Sequence, residues 1–262
     1  MMLSKKTLGR RFGLLAAFVA ALLIACTGVV LAQSSSSTAY AGYGNTTVTP
    51  SEAATQAGAA EPLSNVSSAT GDVSAEARVL NSNFETGDLS RWSTANQPGG
   101  LVNWFVYSGT TSPLSGHTIA APPSGNFAAT TDQIGPGTHV LYRDIHLKRN
   151  MKYELSFYLY YRNLANRFFT PNTLSSNVDR NQQYRVDLLK PSANPFSVKS
   201  NAILRTLFRT KVGDPNKLAP QRRTYNISQY AGETVRLRFA VVDTEFFFLG
   251  SVDRVRLTSH KR

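Results

Sequence analysis

The sequence predicts an all-β domain, a two-sheet antiparallel β-sandwich of the jelly-roll type, preceded by a signal segment and a disordered linker. The first observation is the stretch 151–162, in which apolar and polar side chains alternate strictly over twelve residues. Such alternation is typical of a long strand with one buried face. The second observation is that roughly ten strand-like segments follow one another between turns rich in Gly and Pro. The third is that no convincing amphipathic helix interrupts them.

Residues 1–32 have the pattern of an export signal, because four Lys and Arg side chains precede the apolar run 12–25. Cleavage after Ala32 is one processing route, lipidation of Cys26 is a second, and an uncleaved anchor is a third. The apolar residues after Cys26 favour cleavage, which leaves a mature chain without cysteine and therefore without disulfides. We expect a secreted or cell-surface-attached protein of bacterial source, which meets the membrane only through this segment or a lipid on Cys26.

Residues 33–76 predict a flexible linker. Of these 44 residues, 28 are Ser, Thr, Ala or Gly, and no apolar periodicity is present. A segment of this composition cannot bury enough surface to offset the entropy lost on ordering. We therefore expect a disordered spacer that holds the following domain away from the cell surface.

Residues 77–262 predict a single domain of 186 residues, long enough for one hydrophobic core. It carries 24 Lys and Arg against 12 Asp and Glu, so it holds all of the formal net charge of +12. The connection 163–181 is long and carries Phe168 and Phe169, which favours a loop with a function or one that covers a sheet edge. The predicted strands are residues 78–80, 101–107, 127–131, 138–147, 151–162, 183–189, 202–211, 224–227, 234–242 and 251–258.

Several predicted strands have the same two-faced pattern as residues 151–162. In each of them apolar residues alternate with Arg, Asp or Tyr, so one face builds the core and the other points outward. If these strands share one sheet, their polar faces form a candidate ligand-binding surface made of Tyr158, Tyr160, Arg162, Arg185, Asp187, Arg236 and Arg238. Arginine binds carboxylate, sulfate or phosphate groups through two parallel hydrogen bonds. The alternative is a charge-balanced solvent surface, or a face that the loop 163–181 covers.

A family resemblance begins at residues 81–92, which read N-S-N-F-E-T-G-D-L-S-R-W. Three further stretches follow in order, at 124–128, 151–162 and 250–255. Together they resemble galactose-binding-like jelly-roll domains, and in particular carbohydrate-binding modules of the family 4 and 9 type. The resemblance spans nearly all of residues 79–258 and implies the fold more strongly than the ligand. Under it, the tyrosines of the candidate surface are expected to stack on sugar rings.

The same resemblance implies a structural calcium ion where the first and last strands of such domains meet. By position, Glu85 and Asp253 would supply carboxylates, and Asn83 and Asn126 would add oxygen ligands. A hard cation binds through several oxygens, and two acids offset its charge. The alternative is that both acids only accept hydrogen bonds from the backbone at a strand junction.

The sequence does not favour a catalytic role. The four histidines are widely spaced and there is one cysteine, so no His/Cys metal set is predicted. Neither a phosphate-binding loop nor a G-x-S-x-G motif is present. A glycosidase needs two carboxylates that flank one bond, and the single acids among many arginines are better explained as salt-bridge partners.

We therefore expect a monomeric, non-catalytic, exported domain that binds a polysaccharide or an anionic envelope glycan. Nucleic acid is disfavoured as a partner, because the protein is exported and carries no recognised nucleic-acid-binding module. Calcium is the one cofactor expected. The rival hypothesis is a structural or adhesive surface protein with the same fold and no sugar ligand.

Overall fold

The computed structural model describes residues 81–99, 102–132 and 135–261. The export signal, Cys26, the linker 33–76 and the predicted start of the domain at residue 77 lie outside the described residues. Within those ranges the one helical segment is a 3-10 turn at Ser228–Tyr230. No helix there has the length and apolar character needed to span a membrane.

In the described part of the chain, ten β-strands form two five-stranded sheets in which all pairs are antiparallel. The first sheet has the order β1-β4-β9-β6-β7 and the second has the order β2-β3-β10-β5-β8. This confirms the predicted all-β sandwich. The strands are β1 (Ser93–Asn96), β2 (Phe105–Tyr107), β3 (Ala128–Thr130), β4 (Gly137–His146), β5 (Met151–Asn163), β6 (Gln183–Leu189), β7 (Ile203–Arg209), β8 (Lys217–Asn226), β9 (Thr234–Asp243) and β10 (Phe248–Lys261).

The alternating stretch predicted from the sequence is β5, an interior strand of the second sheet between β10 and β8. Its odd-numbered side chains point into the sandwich, where Leu155, Phe157 and Leu159 are fully buried. From the first sheet, β9 presents Leu237 and Phe239, and the rings of Phe157 and Phe239 meet edge-on with centroids 5.2 Å apart. Burial of each such side chain stabilises the fold by about 1.5–3 kcal/mol. The face of the sheet that carries these side chains is therefore the core face.

Strand bounds follow the sequence pattern where the alternation is strong. β6 has the predicted bounds 183–189. β8 begins at Lys217, seven residues before the predicted start at residue 224. It is an edge strand that pairs only with β5 and contains Pro220, and edge strands tolerate both proline and solvent-exposed residues. Its first half therefore lacks the apolar alternation on which the prediction relied.

Candidate binding site

The structure corrects the predicted ligand-binding surface, because its strands do not share a sheet. Tyr158, Tyr160 and Arg162 lie on β5 of the second sheet. The other four residues lie on β6 and β9 of the first sheet. The inner faces of a sandwich point toward each other, so the polar outer faces of the two sheets point in opposite directions. The seven residues therefore form two separate groups, Tyr158, Tyr160 and Arg162 in one and Arg185, Asp187, Arg236 and Arg238 in the other.

The group on the first sheet is built around a buried ion network. Asp187 accepts two hydrogen bonds from Arg185, both of 2.8 Å, and a third, short one from Arg238. All three residues are at most 2% exposed. Burial by itself raises the pKa of the Asp187 carboxyl, but the hydrogen bond from Arg185 and the charge of Arg238 outweigh it and hold that pKa below its ordinary value. These side chains stabilise the fold and are not available to a ligand.

Connecting segments cover this network from outside. Arg238 donates two hydrogen bonds of 2.7 Å to the carbonyl oxygens of Pro195 and Ser197. Arg236 binds the Asp144 carboxylate and also donates to the carbonyl oxygen of Ala193. The loop 163–181 contributes too, since residues 170 and 171 accept hydrogen bonds from Arg209. Of the two alternatives stated for this face, a solvent surface is wrong, because the network is buried. Covering by the loop 163–181 is found in part, since residues 193, 195 and 197 of another connection cover the network as well.

On the second sheet, Tyr160 and Arg162 lie next to the hairpin at residues 110–119, which follows β2. The hydroxyl groups of Tyr160 and Tyr107 are 2.6 Å apart, and both side chains are buried. Burial raises the pKa of both phenols well above the ordinary value. Arg162 donates a hydrogen bond of 2.8 Å to the carbonyl oxygen of Thr118. Tyr160 is therefore a core residue beneath the hairpin. Together with Arg162 it also lines a cavity of about 190 Å³ next to residues 118–120 and 217–220.

Tyr158 remains half-buried at a small cavity on the same outer face. The cavity has a volume of about 100 Å³ and is lined by Tyr158, Ser156, Arg222, Arg254 and Arg256. Arg222 extends from β8 and donates a hydrogen bond of 3.3 Å to the Ser156 hydroxyl. We call this the arginine pocket. None of its three arginines belongs to the predicted set, because their convergence depends on strand pairing that the sequence pattern does not reveal.

The predicted calcium ligands lie around the turn 124–127. Glu85 accepts hydrogen bonds of 3.1 Å from the backbone N–H groups of Asn126 and Phe127. Gly125 adopts φ +73, and a Cβ placed there would lie 2.3 Å from a Glu85 carboxylate oxygen. The Glu85 carboxylate thus packs directly on the turn, as the backbone-binding alternative states.

Asp253 holds the same turn from β10. Its carboxylate accepts a hydrogen bond of 3.2 Å from the Ser124 N–H and another from the Arg254 N–H. Burial first, and the nearby negative charge of Glu85 in addition, raise the pKa of Asp253 to about 7. The charges of the buried Asp253 and the half-buried Glu85 repel each other, and together they fit a divalent cation in charge. The side chains of Asn83 and Asn126 are exposed. The contacts of Glu85 and Asp253 described here are to backbone N–H groups, so the calcium hypothesis stays a prediction.

A larger cleft of about 450 Å³ lies at one end of the sandwich, and we call it the loop-end cleft. Phe169 lies in it with the guanidinium groups of Arg180 and Arg167 at 5.1 and 5.8 Å from its ring centroid. Phe246 forms part of the opposite wall and is 47% exposed. The lining is Leu164, Ala165, Asn166, Arg167, Phe169, Arg180, Glu245 and Phe246. The sequence pointed to this loop through the pair Phe168 and Phe169, of which Phe168 is fully buried.

Buried amides hold the walls of the loop-end cleft. Asn163 donates to the carbonyl oxygen of Arg167 at 3.1 Å and accepts from the N–H of Ala165 at 3.0 Å. Gln182 donates to the carbonyl oxygen of Phe246 at 2.9 Å and accepts from the N–H of Glu245. The amides of Gln182 and Asn163 are themselves joined by a hydrogen bond of 2.9 Å. The backbone on both sides of the cleft is thus fixed before any ligand binds.

The domain is similar to several solved structures. No family model matches the chain, and no curated protein matches it. A similar solved structure is that of TmCBM61 in complex with beta-1,4-galactotriose, at 12% identity and a TM-score of 0.43 over 70% of this chain and 97% of that one. Another is the K3 cleaved adhesin domain of Lys-gingipain from Porphyromonas gingivalis w83, at 19% identity and a TM-score of 0.43 over 70% and 98% of the two chains.

A third similar structure is that of the Stig cyclase Fisc from Fischerella sp. TAU, at 19% identity and a TM-score of 0.40 over 71% of this chain and 98% of that one. The expected likeness to carbohydrate-binding modules is therefore found, without the family 4 and 9 assignment. The similar structures also include adhesin domains and an enzyme. At this level of identity the likeness concerns the fold alone, and the fold assignment itself rests on strand pairing and register.

Proposed function

We propose that the chain is an exported, non-catalytic domain that binds a polysaccharide, and that the loop-end cleft is its sugar-binding site. The observation that carries the proposal is the composition of this cleft. It combines an exposed aromatic ring, Phe246, with a guanidinium-flanked ring, Phe169, and the polar side chains of Asn166 and Glu245. Sugar rings offer apolar C–H faces to aromatic side chains and hydroxyl groups to amides and charged groups.

The volume and rigidity of the cleft support the same proposal. A volume of about 450 Å³ lies in the range of small-molecule sites, which are mostly formed before the ligand arrives. The buried amides of Asn163 and Gln182 fix both walls, so little loop entropy is lost on binding. Arg180 lies 4.0 Å from Glu245 in a partly exposed ion pair, which leaves both groups able to turn toward a hydroxyl or an acidic substituent.

The remaining parts of the proposal come from the sequence. The signal segment 1–32 directs the protein out of a bacterial cell. The linker 33–76 separates the binding domain from the cell surface. The domain acts as a monomer. A calcium ion held by Glu85 and Asp253, with oxygens of Asn83 and Asn126, would neutralise the two acids and clamp the turn 124–127 to β10.

An adhesive role without a sugar ligand is the second candidate, and one observation favours it. Phe246 is among the few large apolar side chains that are exposed in the described part of the chain, and exposed aromatic residues are frequent at protein interfaces. Both candidates use the same cleft. They differ in the partner, so a direct binding screen separates them.

The experiment is a glycan-array screen of the purified protein, followed by calorimetry with the best neutral glycan. The variant is Phe246→Ala, and its matched control is Val212→Ala, which also removes an exposed apolar side chain but lies away from the cleft. We expect Phe246→Ala to weaken glycan binding about tenfold, or about 1.4 kcal/mol, while the control stays within twofold.

Two results would contradict the proposal. One is an array without any glycan signal while the protein binds proteins of the bacterial surface through Phe246, which would favour the adhesive role. The other is a glycan whose affinity is the same for Phe246→Ala and for the unmodified protein, which would move the sugar site away from the loop-end cleft.

A further inference from the structure

The arginine pocket exists because a β-bulge changes the side-chain alternation of β10. The register with β5 shifts between Asp253 and Arg256. Without the shift, Arg254 and Arg256 would point into the core, because Val252 does so and alternate residues share a face. With the extra residue, Val255 and Leu257 point inward and both arginines are exposed. Bulges often redirect side chains at binding sites.

The backbone at the bulge is also strained. Arg254 has φ +49, a left-handed conformation that is uncommon for residues other than glycine. Such conformations persist where the surrounding structure enforces them and are found mainly at functional sites. Two hydrogen bonds hold this one, from the Arg254 N–H to Asp253 and from the Val255 N–H to the carbonyl oxygen of Ser82 at 2.7 Å.

The three cations of the pocket have no acidic partner among residues 81–99, 102–132 and 135–261. The ion pairs of these residues involve Arg180, Arg185, Arg236 and Arg238. Asp253 is the acid next to Arg254 in the chain, and it binds backbone N–H groups rather than a guanidinium. The Asp253 carboxylate attracts Arg254 electrostatically, so it offsets one of the three positive charges only in part. The remaining repulsion between like charges in one cavity opposes folding, and an anion bound in the cavity would reduce it.

The shape of the pocket limits the kind of anion. A volume of about 100 Å³ suits one oxyanion group. Three guanidinium groups offer more donors than the two oxygens of a carboxylate can accept, whereas a tetrahedral sulfate ester or phosphate monoester has three free oxygens. Two of the guanidinium groups are fixed by hydrogen bonds that they donate, from Arg222 to the Ser156 hydroxyl at 3.3 Å and from Arg254 to the Ser124 hydroxyl at 3.4 Å.

We propose that the arginine pocket, lined by Tyr158, Arg222, Arg254 and Arg256, binds a sulfate or phosphate ester carried by an anionic polysaccharide. The pocket lies on the outer face of the second sheet and is separate in its lining residues from the loop-end cleft. It stands whether or not the cleft binds sugar. The polymer backbone would then run over an open sheet face, with Tyr158 beside the charged group.

The test measures binding of the full protein to dextran sulfate by biolayer interferometry, with neutral dextran and carboxymethyl-dextran of equal charge density as comparison polymers. The variant Arg222→Gln/Arg256→Gln removes two charges from the pocket. The control Lys190→Gln/Lys199→Gln removes the same charge from the segment 190–202, which covers the first sheet. We expect the pocket variant to lose at least tenfold in affinity for dextran sulfate and the control less than threefold.

Charge and geometry are separated by Arg222→Lys, which keeps the charge but not the planar fork. It should weaken dextran sulfate binding severalfold and reduce the preference over carboxymethyl-dextran, which we expect to be at least threefold in the unmodified protein. Thermal melting verifies that each variant is folded, and Arg222→Lys provides the answer if the double variant is not. Neutral dextran carries no anionic group and so reports on the loop-end cleft without the arginine pocket. Failure of the cleft hypothesis therefore leaves the comparison of dextran sulfate binding between the pocket variant and the lysine control readable.

Three outcomes would overturn the proposal. Equal losses in the pocket variant and the lysine control would mean diffuse attraction to the net charge. Equal binding of dextran sulfate and carboxymethyl-dextran would mean that the tetrahedral group is not recognised. Binding to phosphatidylglycerol vesicles without binding to dextran sulfate would assign the pocket to a membrane surface instead of a polysaccharide.

Discussion

Asp253→Asn should raise the free energy of unfolding at pH 8 in the presence of a chelator. The Asp253 carboxyl is buried and has a pKa raised to about 7, against an ordinary value of 3.8. The native state therefore holds a proton between about pH 4 and 7 that the unfolded chain has already released, so the contribution of this group to stability falls as the pH rises through that window. The whole shift corresponds to about 4 kcal/mol at about 1.4 kcal/mol per unit, and we expect about half of it because solvent reaches the turn.

The substitution is chosen because Asn keeps an oxygen that can accept the Ser124 N–H while it removes the charge. The assay is urea unfolding of both proteins at pH 4.5, 6 and 8, and the quantity of interest is the difference between them at each pH. Asp243, whose pKa burial raises to about 8, and His139, whose pKa burial lowers to about 4, titrate in both proteins and cancel in that difference. A charge-matched control is Glu154→Gln, at an exposed position of β5.

Calcium gives the same experiment a second arm. If Glu85 and Asp253 bind calcium, the ion at a hundredfold excess over its Kd should stabilise the unmodified protein by about 2.7 kcal/mol at pH 8 and leave Asp253→Asn unchanged. The reasoning about burial would be refuted if the difference between variant and unmodified protein in chelator were the same at pH 4.5 and pH 8. Identical unfolding curves with calcium and with chelator would refute the metal site.

Two further predictions concern the first sheet and the linker. Asp187→Asn leaves Arg185 and Arg238 buried without a counter-charge, so it should lower the free energy of unfolding in urea by about 3–5 kcal/mol. Asp144→Asn breaks a partly exposed pair with Arg236 and should lower it by about 0–1 kcal/mol. Equal losses would show that burial does not set the energy of these pairs. Limited proteolysis should remove residues 33–76 and leave a stable fragment that begins near residue 77; protection of residues 53–60 from a broad-specificity protease would show that the linker is packed.

The strands were predictable from the sequence to the extent that their signal is local. In β5, β6 and β9, apolar residues alternate with polar ones, and period-two alternation follows directly from the backbone geometry of a strand with one buried face. β1 and the first half of β8 lie at sheet edges, where most side chains are exposed or half-buried. Their sequences therefore carry no alternation, and they were not predicted.

The candidate sites depended on tertiary structure, because pairing between distant strands decides which polar faces meet. Arg185, Asp187 and Arg238 were expected at a ligand surface, yet they form a buried ion network under covering segments. The turn at Gly125 was located from its motif, whereas its contact with Glu85 required the folded chain.

The sequence alone determined that this domain is an all-β sandwich, since each strand records its own buried face in local periodicity. Only the tertiary structure decided that Arg222, Arg254 and Arg256 line one cavity. Arg222 lies opposite Tyr158 through the register of β8 with β5. Arg254 and Arg256 both face outward because one extra residue in β10 shifts its alternation. A bulge is set by the partner strand as much as by its own residues, and for that reason a single stretch of sequence does not reveal it.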